Sequence, residues 1–353
     1  MLGHPFVSLS CTTVSLKVDE RKGYHICIFE ITPILQSPYN LIYAGTFNVL
    51  FGTLMQSYYK TVFTNKDHSA PPPEEILFNG KYRACQSDGT IRRCYRDNCN
   101  GKLKQPRSRH CGDCQVDRID FDHHCPWFDS CVSSSTIPSF LRACIFMPLT
   151  TLCGSIPILR QLIANFKHVR LFSRSDEWIG NVFWDRWYSY PPGPIGSRFI
   201  RYVLGYWKYG SSGSNRRILD VRFDVTLVAF LAVIVSIVAI ALFRTVLKGV
   251  LSAHSSIDIE RQKSHKKVWK LAISEKLKKD PENSSLLRSL KTLEPNEYFK
   301  VEDRVFKVDL KVYDLGWYRN YRRAFCAPDG EYRSTLNEDV IADALSKSDN
   351  KLE

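Results

Sequence analysis

The sequence predicts an α-helical integral membrane protein with three to four spans and a small, loop-rich, cysteine-rich domain. The clearest span is Val225 to Phe243, where nineteen consecutive residues carry no charge between Asp224 and Arg244. A run of this length crosses the hydrocarbon core of a bilayer as a helix. Seven of the twelve cysteines lie between Cys85 and Cys131, interleaved with histidines. Such clustering indicates metal binding in a reducing compartment rather than a disulfide scaffold.

Two further hydrophobic segments complete the predicted membrane part. Residues 40–60 form a predicted transmembrane helix, because the chain from Asn40 to Tyr59 is uncharged and ends in aromatic residues that suit the interface. Residues 137–159 form another, since their only charge is Arg142 and their prolines are tolerable where neighbouring helices satisfy the freed carbonyls. In the N-terminal segment, residues 1–39, we expect at most a weak first span.

The segments between the spans divide the chain further. Residues 64–136 are the predicted cysteine-rich domain, 160–222 a loop, and 244–353 a basic C-terminal tail. Two spans, 137–159 and 225–243, separate the cysteine-rich domain from the tail, so both are expected on the same side of the membrane. Because metal-binding thiolates must stay reduced, we expect that side to be the cytosol and the loop to be lumenal.

The chain is basic, with a formal net charge of +13. This charge favours anionic partners such as lipid headgroups, cofactor phosphates or nucleic acid, although a solvated basic surface is an equally good explanation. A soluble nucleic-acid-binding protein has no use for the span at 225–243. We therefore expect the lipid bilayer, and not nucleic acid, among the partners.

The cysteine-rich stretch contains enough ligands for two zinc ions. Structural zinc takes four ligands, usually in pairs two to four residues apart. Cys111 and Cys114 form such a pair, and Cys94 and Cys99 form a looser one. The full candidate set comprises eight residues: Cys94, Cys99, His110, Asp117, Cys111, Cys114, His124 and Cys131. Two four-ligand structural sites can be drawn from it.

Three neighbouring residues are left over after this assignment. Asp122, His123 and Cys125 have the composition of an activated thiol nucleophile. In such a site the histidine takes the thiol proton, the carboxylate orients the histidine, and the thiolate attacks a carbonyl carbon. Nearby zinc ions and arginines would lower the pKa of the thiol further.

At these residues the stretch resembles the cysteine-rich domain of the DHHC family of protein S-acyltransferases, or palmitoyltransferases. The similarity rests on Pro106 to Cys111 (PRSRHC), on the pair Cys111 and Cys114, and on Asp122 to Trp127 (DHHCPW) followed by Cys131. It covers about forty residues. Two looser matches lie in the tail. Ser255 to Asp258 is similar to the family's Thr-Thr-x-Glu motif, and the region of Asn320 resembles its aromatic-and-asparagine motif.

The resemblance implies a role for each residue. Cys125 would accept the acyl group, His123 would be its base, and Asp122 would orient His123. His124 would instead bind zinc with Cys111, Cys114 and Cys131. The second zinc site would take Cys94, Cys99, His110 and Asp117.

The chain also departs from the family pattern. Asp117 stands where the family usually has cysteine, so Cys85 is an alternative fourth ligand. Four residues, not two, separate Cys94 from Cys99. Phe128-Asp129-Ser130 replaces an apolar-Asn-Asn run, and three spans are clear where the family usually has four.

The function implied is protein-cysteine S-palmitoyltransferase. Palmitoyl-CoA or another long-chain acyl-CoA would load Cys125, and membrane-associated proteins with accessible cysteines would receive the acyl group. The spans would shelter the acyl chain, and CoA phosphates could meet basic residues of the domain: Arg92, Arg93, Lys102, Lys104, Arg107 and Arg109. We expect an endomembrane location. The alternatives are a membrane-anchored zinc-binding interaction module, ubiquitin-ligase-like in character, or a family member without activity.

Overall fold

The computed structural model is mainly helical, with short β-hairpins in the cysteine-rich region. It describes residues 21–64, 83–86, 88–104, 107–118, 120–133, 135–186, 194–211, 223–272, 296–301, 304–326 and 337–349. Residues 1–20 of the predicted N-terminal segment, together with parts of the predicted loop at 160–222 and of the tail, lie outside these ranges. The chain divides into two compact units, one of Met1–Met55 and Cys144–Ile240, the other of Gln56–Ala143 and Ala241–Glu353.

The helices account for most of the described residues. Their bounds are α1 Tyr39–Thr64, α2 Ile137–Ser155, α3 Leu159–Ser175, α4 Pro194–Ser211, α5 Phe223–Leu251, α6 Ser256–Ala272, α7 Trp317–Phe325 and α8 Glu338–Asp349. Shorter helical turns occur at Ile26–Ile31, Thr32–Ile34, Asp97–Cys99, Ile156–Ile158, Glu177–Ile179, Gly180–Trp184 and Leu310–Tyr313.

Two helical stretches among the described residues are long and apolar enough to cross a membrane. They are Ile137–Ser175, which joins α2 to α3 through the turn at Ile156–Ile158, and Phe223–Leu251, which is α5. Apolar side chains such as Ile237, 63 % exposed, cover the outside of α5, as suits a helix surrounded by lipid. Residues 40–60 lie within α1, which is not one of these two stretches. The span predicted there stays a prediction.

The first unit has an aromatic and aliphatic core. Tyr43 and Phe47 of α1 pack with Ile26 and Ile31 of the preceding turns and with Val225 of α5. The two apolar stretches also meet through polar side chains, because Ser236 Oγ donates a hydrogen bond to Thr151 Oγ1 at 3.0 Å. A short polar contact of this kind stabilises helix pairs in an apolar surrounding.

In the second unit, small antiparallel hairpins hold the cysteine-rich region. The strands are β1 Arg83–Cys85, β2 Arg93–Cys94, β3 Lys102–Leu103, β4 Arg109–Cys111, β5 Val116–Arg118, β6 His123–Cys125, β7 Ser130–Val132, β8 Asn296–Val301 and β9 Arg304–Asp309. Pairs β2–β3, β4–β5 and β6–β7 are separate two-stranded ribbons. Strand β1 pairs with β8, so the tail contributes two strands to a three-stranded sheet in the order β1-β8-β9.

Candidate active site and metal centres

Four predicted metal ligands meet where ribbons β4–β5 and β6–β7 come together. Cys111 ends β4 and Cys114 lies in the turn after it, while His124 and Cys131 are directly opposed across β6–β7. The Nδ1 atom of His124 lies 3.6, 3.4 and 3.9 Å from the sulfurs of Cys111, Cys114 and Cys131. Ligands of one tetrahedral zinc ion lie roughly 3.5–3.8 Å apart, given the usual zinc–ligand lengths. The donor set therefore fits zinc in both chemistry and spacing.

The thiols of this cluster also influence one another. Cys131 Sγ donates a hydrogen bond to Cys114 Sγ at 3.4 Å. This bond, together with the His124 ring and despite the opposing effect of burial, lowers the pKa of Cys114 to about 5. The thiolate is the form in which cysteine binds zinc.

A second cluster contains three of its four predicted ligands. The sulfurs of Cys94, on β2, and Cys99, in the turn after it, both lie 3.5 Å from Nδ1 of His110 on β4. On the other side of the ring, Nε2 of His110 lies 2.7 Å from Oδ2 of Asp97. A carboxylate in this position fixes the tautomer and orientation of a metal-binding histidine. Sequence reasoning missed Asp97, although it lies between the two cysteines.

The fourth ligand of this cluster is not defined by the geometry. Among the described residues, the donors that approach within 4.8 Å of one another here are Cys94, Cys99 and His110. Asp117 is the direct partner of His110 in β4–β5, and its Oδ1 lies 3.4 Å from Lys104 Nζ. Cys85, the alternative, is fully buried at the end of β1, outside the same group. The assignment of Asp117 stays a prediction.

Strand β6 separates the two histidines of the DHHC stretch. Successive side chains of a strand point to opposite faces, so His124 lies on one face and His123 and Cys125 on the other. The first face completes the four-donor metal cluster. The second face carries the histidine and thiol that the sequence left over.

Asp122, which precedes β6, joins His123 and Cys125 in a connected polar group. His123 Nδ1 donates a hydrogen bond to Asp122 Oδ2 at 2.8 Å. Burial opposes a charged His123 ring, but the bond to Asp122 and the interaction with the Cys125 thiol outweigh it and raise the pKa of His123 to about 9. Cys125 is 1 % exposed. A protonated imidazole favours the thiolate form of a neighbouring cysteine.

Asp122 is itself held by the segment that follows α5. The Ser256 backbone N–H donates to Asp122 Oδ1 at 2.6 Å, and the Ser256 hydroxyl donates to Oδ2 at 2.8 Å. Burial would raise the pKa of Asp122, but the hydrogen bonds from His123 and Ser256 lower it below its usual value. Asp122 is therefore a fixed anion that orients His123.

The sequence around this site is similar to that of known proteins. The DHHC palmitoyltransferase family model matches residues 89–263, which contain both metal clusters, Asp122, His123, Cys125 and the Ser256 segment. The chain belongs to the DHHC palmitoyltransferase family. Together with the two apolar helices, this membership indicates a membrane protein.

Individual relatives match over shorter or more divergent segments. Palmitoyltransferase spe-10 of Caenorhabditis elegans is 39 % identical over 62 residues, 18 % of this chain and 17 % of that protein. Palmitoyltransferase ZDHHC15 of Homo sapiens is 25 % identical over 145 residues, 34 % and 42 % of the two chains. Probable protein S-acyltransferase 14 of Arabidopsis thaliana is 26 % identical over 210 residues, which are 55 % of this chain and 56 % of that protein. The matches thus span less than two thirds of these relatives.

The sharp turn after α5 brings the Ser256 segment to Asp122. His254 N–H bonds to Gly249 O at 2.9 Å, and Ala253 N–H bonds to Val250 O at 3.2 Å, which is a Schellman motif. Ala253 takes the left-handed conformation, φ 51°, that glycine usually supplies. A Cβ on Gly249 would lie 2.6 Å from His254 O, so this position requires glycine.

A capping box then starts α6. Ser255 N–H donates to Asp258 Oδ2 at 3.0 Å, and Asp258 N–H donates to Ser255 Oγ at 3.2 Å. Asp258 also binds Arg107, whose Nη2 lies 3.0 Å from Asp258 Oδ2. The segment Ser255 to Asp258, which is similar to the family's Thr-Thr-x-Glu motif, thus contacts two residues of the cysteine-rich domain, Asp122 and Arg107. Sequence reasoning noticed this match but assigned it no contact.

Arg107 differs from the other basic residues suggested for CoA. Its side chain is largely buried, lies between Asp120 and Asp258, and stacks over the Tyr313 ring at 4.7 Å. Burial would lower the pKa of Arg107, but the two carboxylates raise it. Arg107 therefore links the cysteine-rich domain to the tail.

Asn320 gives the second tail match a structural role. It is buried within α7, where its side-chain amide donates to Leu251 O at 2.9 Å and to Asp314 Oδ1 at 2.7 Å. Its Oδ1 accepts from Leu315 N–H at 3.1 Å. These bonds attach α7 to the end of α5, beside the segment that holds Asp122.

The unusual Phe128-Asp129-Ser130 run borders the site. The ring of Phe128 lies 5.3 Å from that of Phe140 and 5.0 Å from that of Tyr58. Phe140 meets the His123 ring edge-on at 5.7 Å. Phe128 therefore places an aromatic ring where the family pattern has an apolar residue.

Proposed function

We propose that this chain is a protein-cysteine S-acyltransferase, specifically a palmitoyltransferase. It would transfer a long-chain acyl group from acyl-CoA, through an acyl-enzyme on Cys125, to a cysteine of a membrane-associated protein. The observation that carries the proposal is the group on one face of β6: a buried Cys125 thiol beside His123, whose other nitrogen is bound by Asp122. An interaction module would need the metal ligands but not this group.

In the first step, the Cys125 sulfur would attack the thioester carbonyl carbon of acyl-CoA. A bond forms from Cys125 to the acyl carbon, the bond from that carbon to CoA breaks, and CoA leaves as a thiol. His123 first takes the proton of Cys125 and then supplies it to the departing CoA sulfur. Because the His123 ring interacts with the Cys125 thiol, the proton acceptor lies beside the group that it would deprotonate.

In the second step, the thiol of the substrate protein would lose its proton to His123 and attack the acyl group on Cys125. The new thioester forms on the substrate, and Cys125 leaves as a thiolate that His123 can protonate again. One thioester replaces another, so the energy change is small and the protein must only lower the barrier. Asp122 supports both steps, because an imidazolium beside a fixed carboxylate is stabilised.

The metal clusters would supply structure rather than chemistry. Cys111, Cys114, His124 and Cys131 would hold one zinc ion. Cys94, Cys99 and His110, with Asp117, would hold the other. Zinc bound in such closed sites contributes folding free energy to a domain whose strands are only two or three residues long.

We further propose that the site faces the cytosol from an endomembrane, where acyl-CoA and substrate proteins are accessible. Basic residues near the site would receive the CoA phosphates. Arg92 and Arg109 line one cleft with Arg261 of α6, which supports this part of the proposal. The charge-assisted bonds of arginine to phosphate are strong and often bidentate.

Metabolic labelling with an alkyne fatty acid tests the proposal. The full chain is expected to carry a hydroxylamine-labile adduct that Cys125→Ser lacks. The matched control is Cys326→Ser, which removes an exposed cysteine at the end of α7 and should leave the label on Cys125. Zinc content, measured on the same samples, reports folding. Equal labile labelling of the wild type and of a zinc-loaded Cys125→Ser protein would refute the proposed nucleophile.

A further inference from the structure

Helices α3 and α4 form a defined pair in the first unit. Val169 and Ser173 of α3 are fully buried, and Ser173 Oγ donates to Arg201 O of α4 at 2.7 Å. A Cβ on Gly205 would lie 2.9 Å from the Ser173 Cβ, so the helices approach closely at this point. Trp184 completes the contact, because its indole N–H donates to Ser173 Oγ at 3.1 Å. The two helices therefore pack tightly against each other, with Val169, Ser173 and Gly205 on the side where they meet.

The outer side of α4 presents an apolar stripe. Phe199, Val203 and Trp207 are 62 %, 46 % and 66 % exposed. Residues four apart lie on one face of a helix, so these three form a continuous row. Gly205, on the inner side, is two residues from Val203 and thus about 200° around the helix. The row points away from α3.

The stripe lies beside the start of an apolar helix. Tyr206, the neighbour of Trp207 in α4, packs on Phe223 with ring centroids 6.0 Å apart. Phe223 is the first residue of α5, one of the two stretches able to cross a membrane. At the other end of the pair, α3 is the second half of the other such stretch, Ile137–Ser175, and follows α2 through the turn at Ile156–Ile158. Both connections place the α3–α4 pair next to the ends of apolar helices, α5 on one side and α2 on the other.

The charge of the pair suits a lipid surface. The described side chains of the pair and of the segment that follows α3, residues 159–186 and 199–209, include seven basic and three acidic residues. The basic ones are Arg160, Lys167, Arg170, Arg174, Arg186, Arg201 and Lys208. Basic side chains are attracted to lipid phosphates, and tryptophan is favoured at the boundary between headgroups and acyl chains.

We infer that the α3–α4 pair is a membrane-surface element whose Phe199–Val203–Trp207 stripe lies in the interfacial layer of the bilayer. Helices that lie in this layer combine an apolar face with basic residues, as this pair does. The inference is independent of the acyl transfer proposed above and requires only that α5 cross the bilayer. If a soluble partner protein or a second copy of the chain covered the stripe instead, quenchers in the lipid would not reach Trp207.

The test measures the fluorescence of Trp207 in the full-length protein. The protein is reconstituted into nanodiscs of phosphatidylcholine and phosphatidylserine, with or without bromine atoms on the upper acyl chain. The emission of Trp207→Phe, which keeps the other six tryptophans, is subtracted from that of the wild type. We expect the difference spectrum to be blue-shifted, to lose most of its intensity with brominated lipid, and to resist aqueous iodide. The matched control is Trp184→Phe, whose difference spectrum should not respond to bromine because Arg201 covers the Trp184 ring at 3.8 Å.

The other outcomes overturn the inference. Quenching of Trp207 by iodide but not by brominated lipid would mean that the stripe faces water. Resistance to both quenchers would mean that protein, either a partner or a second copy, covers it. Unchanged zinc content and thermal unfolding of Trp207→Phe would show that these readings come from folded protein, and neither measurement depends on the proposed activity.

Discussion

The two metal clusters differ in completeness and in what they support. Cys111, Cys114, His124 and Cys131 bring four donors together, and two of these lie on the ribbon that carries Cys125. The other cluster brings together Cys94, Cys99 and His110, with a carboxylate from Asp97 behind the ring. The first cluster thus shares a ribbon with the proposed nucleophile, whereas the donors of the second lie on or beside the neighbouring ribbons.

This difference suggests that changes in the two clusters have unequal consequences. Loss of the four-donor cluster should release β6–β7 and with it Cys125. Loss of the three-donor cluster should first affect β2–β3 and the start of β4. The following predictions test this ranking, from the largest expected effect to the smallest.

The largest effect is expected for Cys114→Ala, which removes one ligand of the four-donor cluster. Zinc in closed sites contributes about 10–16 kcal/mol to small domains, so the domain should lose this ion and its cooperative unfolding. Acyl labelling should disappear with them. Zinc per chain and thermal unfolding of the purified protein measure this, with Cys326→Ala as the exposed control. Full zinc content in Cys114→Ala would contradict the assignment.

A sharper comparison uses the adjacent histidines. His123→Ala should keep both zinc ions and reduce the rate of acyl loading by about 10²–10⁴-fold, the usual contribution of a general base. His124→Ala should lose zinc, because its Nδ1 faces three thiols. Zinc content and single-turnover loading are measured on both proteins. If both retained all their zinc, the opposite roles assigned to the two faces of β6 would be wrong.

The three-donor cluster is tested by Asp117→Ala and Cys85→Ala. If Asp117 is the fourth ligand, its removal should weaken zinc binding at this cluster while the other ion remains. Acyl labelling should fall only in part, because Cys125 lies on another ribbon. Competition with a metal-sensitive dye measures the loss. Zinc loss in Cys85→Ala, with none in Asp117→Ala, would reverse the assignment.

The smallest effect is expected for Ser256→Ala. The substitution removes the hydroxyl that binds Asp122 Oδ2, but the backbone N–H of residue 256 still binds Oδ1. A hydrogen bond of this kind contributes about 1 kcal/mol, so the loading rate should fall about fivefold. Unchanged zinc content would show that the metal clusters are unaffected. A loss as large as that of His123→Ala would mean that the hydroxyl has a direct chemical role.

Local sequence determined much of the candidate site. The family resemblance implied different roles for His123 and His124, but only the structure showed strand β6, whose alternation places His124 opposite His123 and Cys125. The short spacings of Cys111 to Cys114 and of Cys94 to Cys99 predict paired ligands, and the structure brings each pair together. The uncharged run at 225–243 predicts a helix, which the structure extends to Phe223–Leu251 because nothing in the flanking sequence breaks it earlier.

Contacts between distant segments were decided only by the tertiary structure. Ser256 reaches Asp122 across 134 residues because a Schellman motif at Gly249 turns the chain back at the end of α5. Asn320 reaches Leu251 across 69 residues, and β8 pairs with β1, although the tail sequence gave no sign of this sheet. Side-chain type and spacing specify which groups are able to bind metal or react. Which distant group orients Asp122 depends on how the chain returns to it, and no local pattern encodes that path.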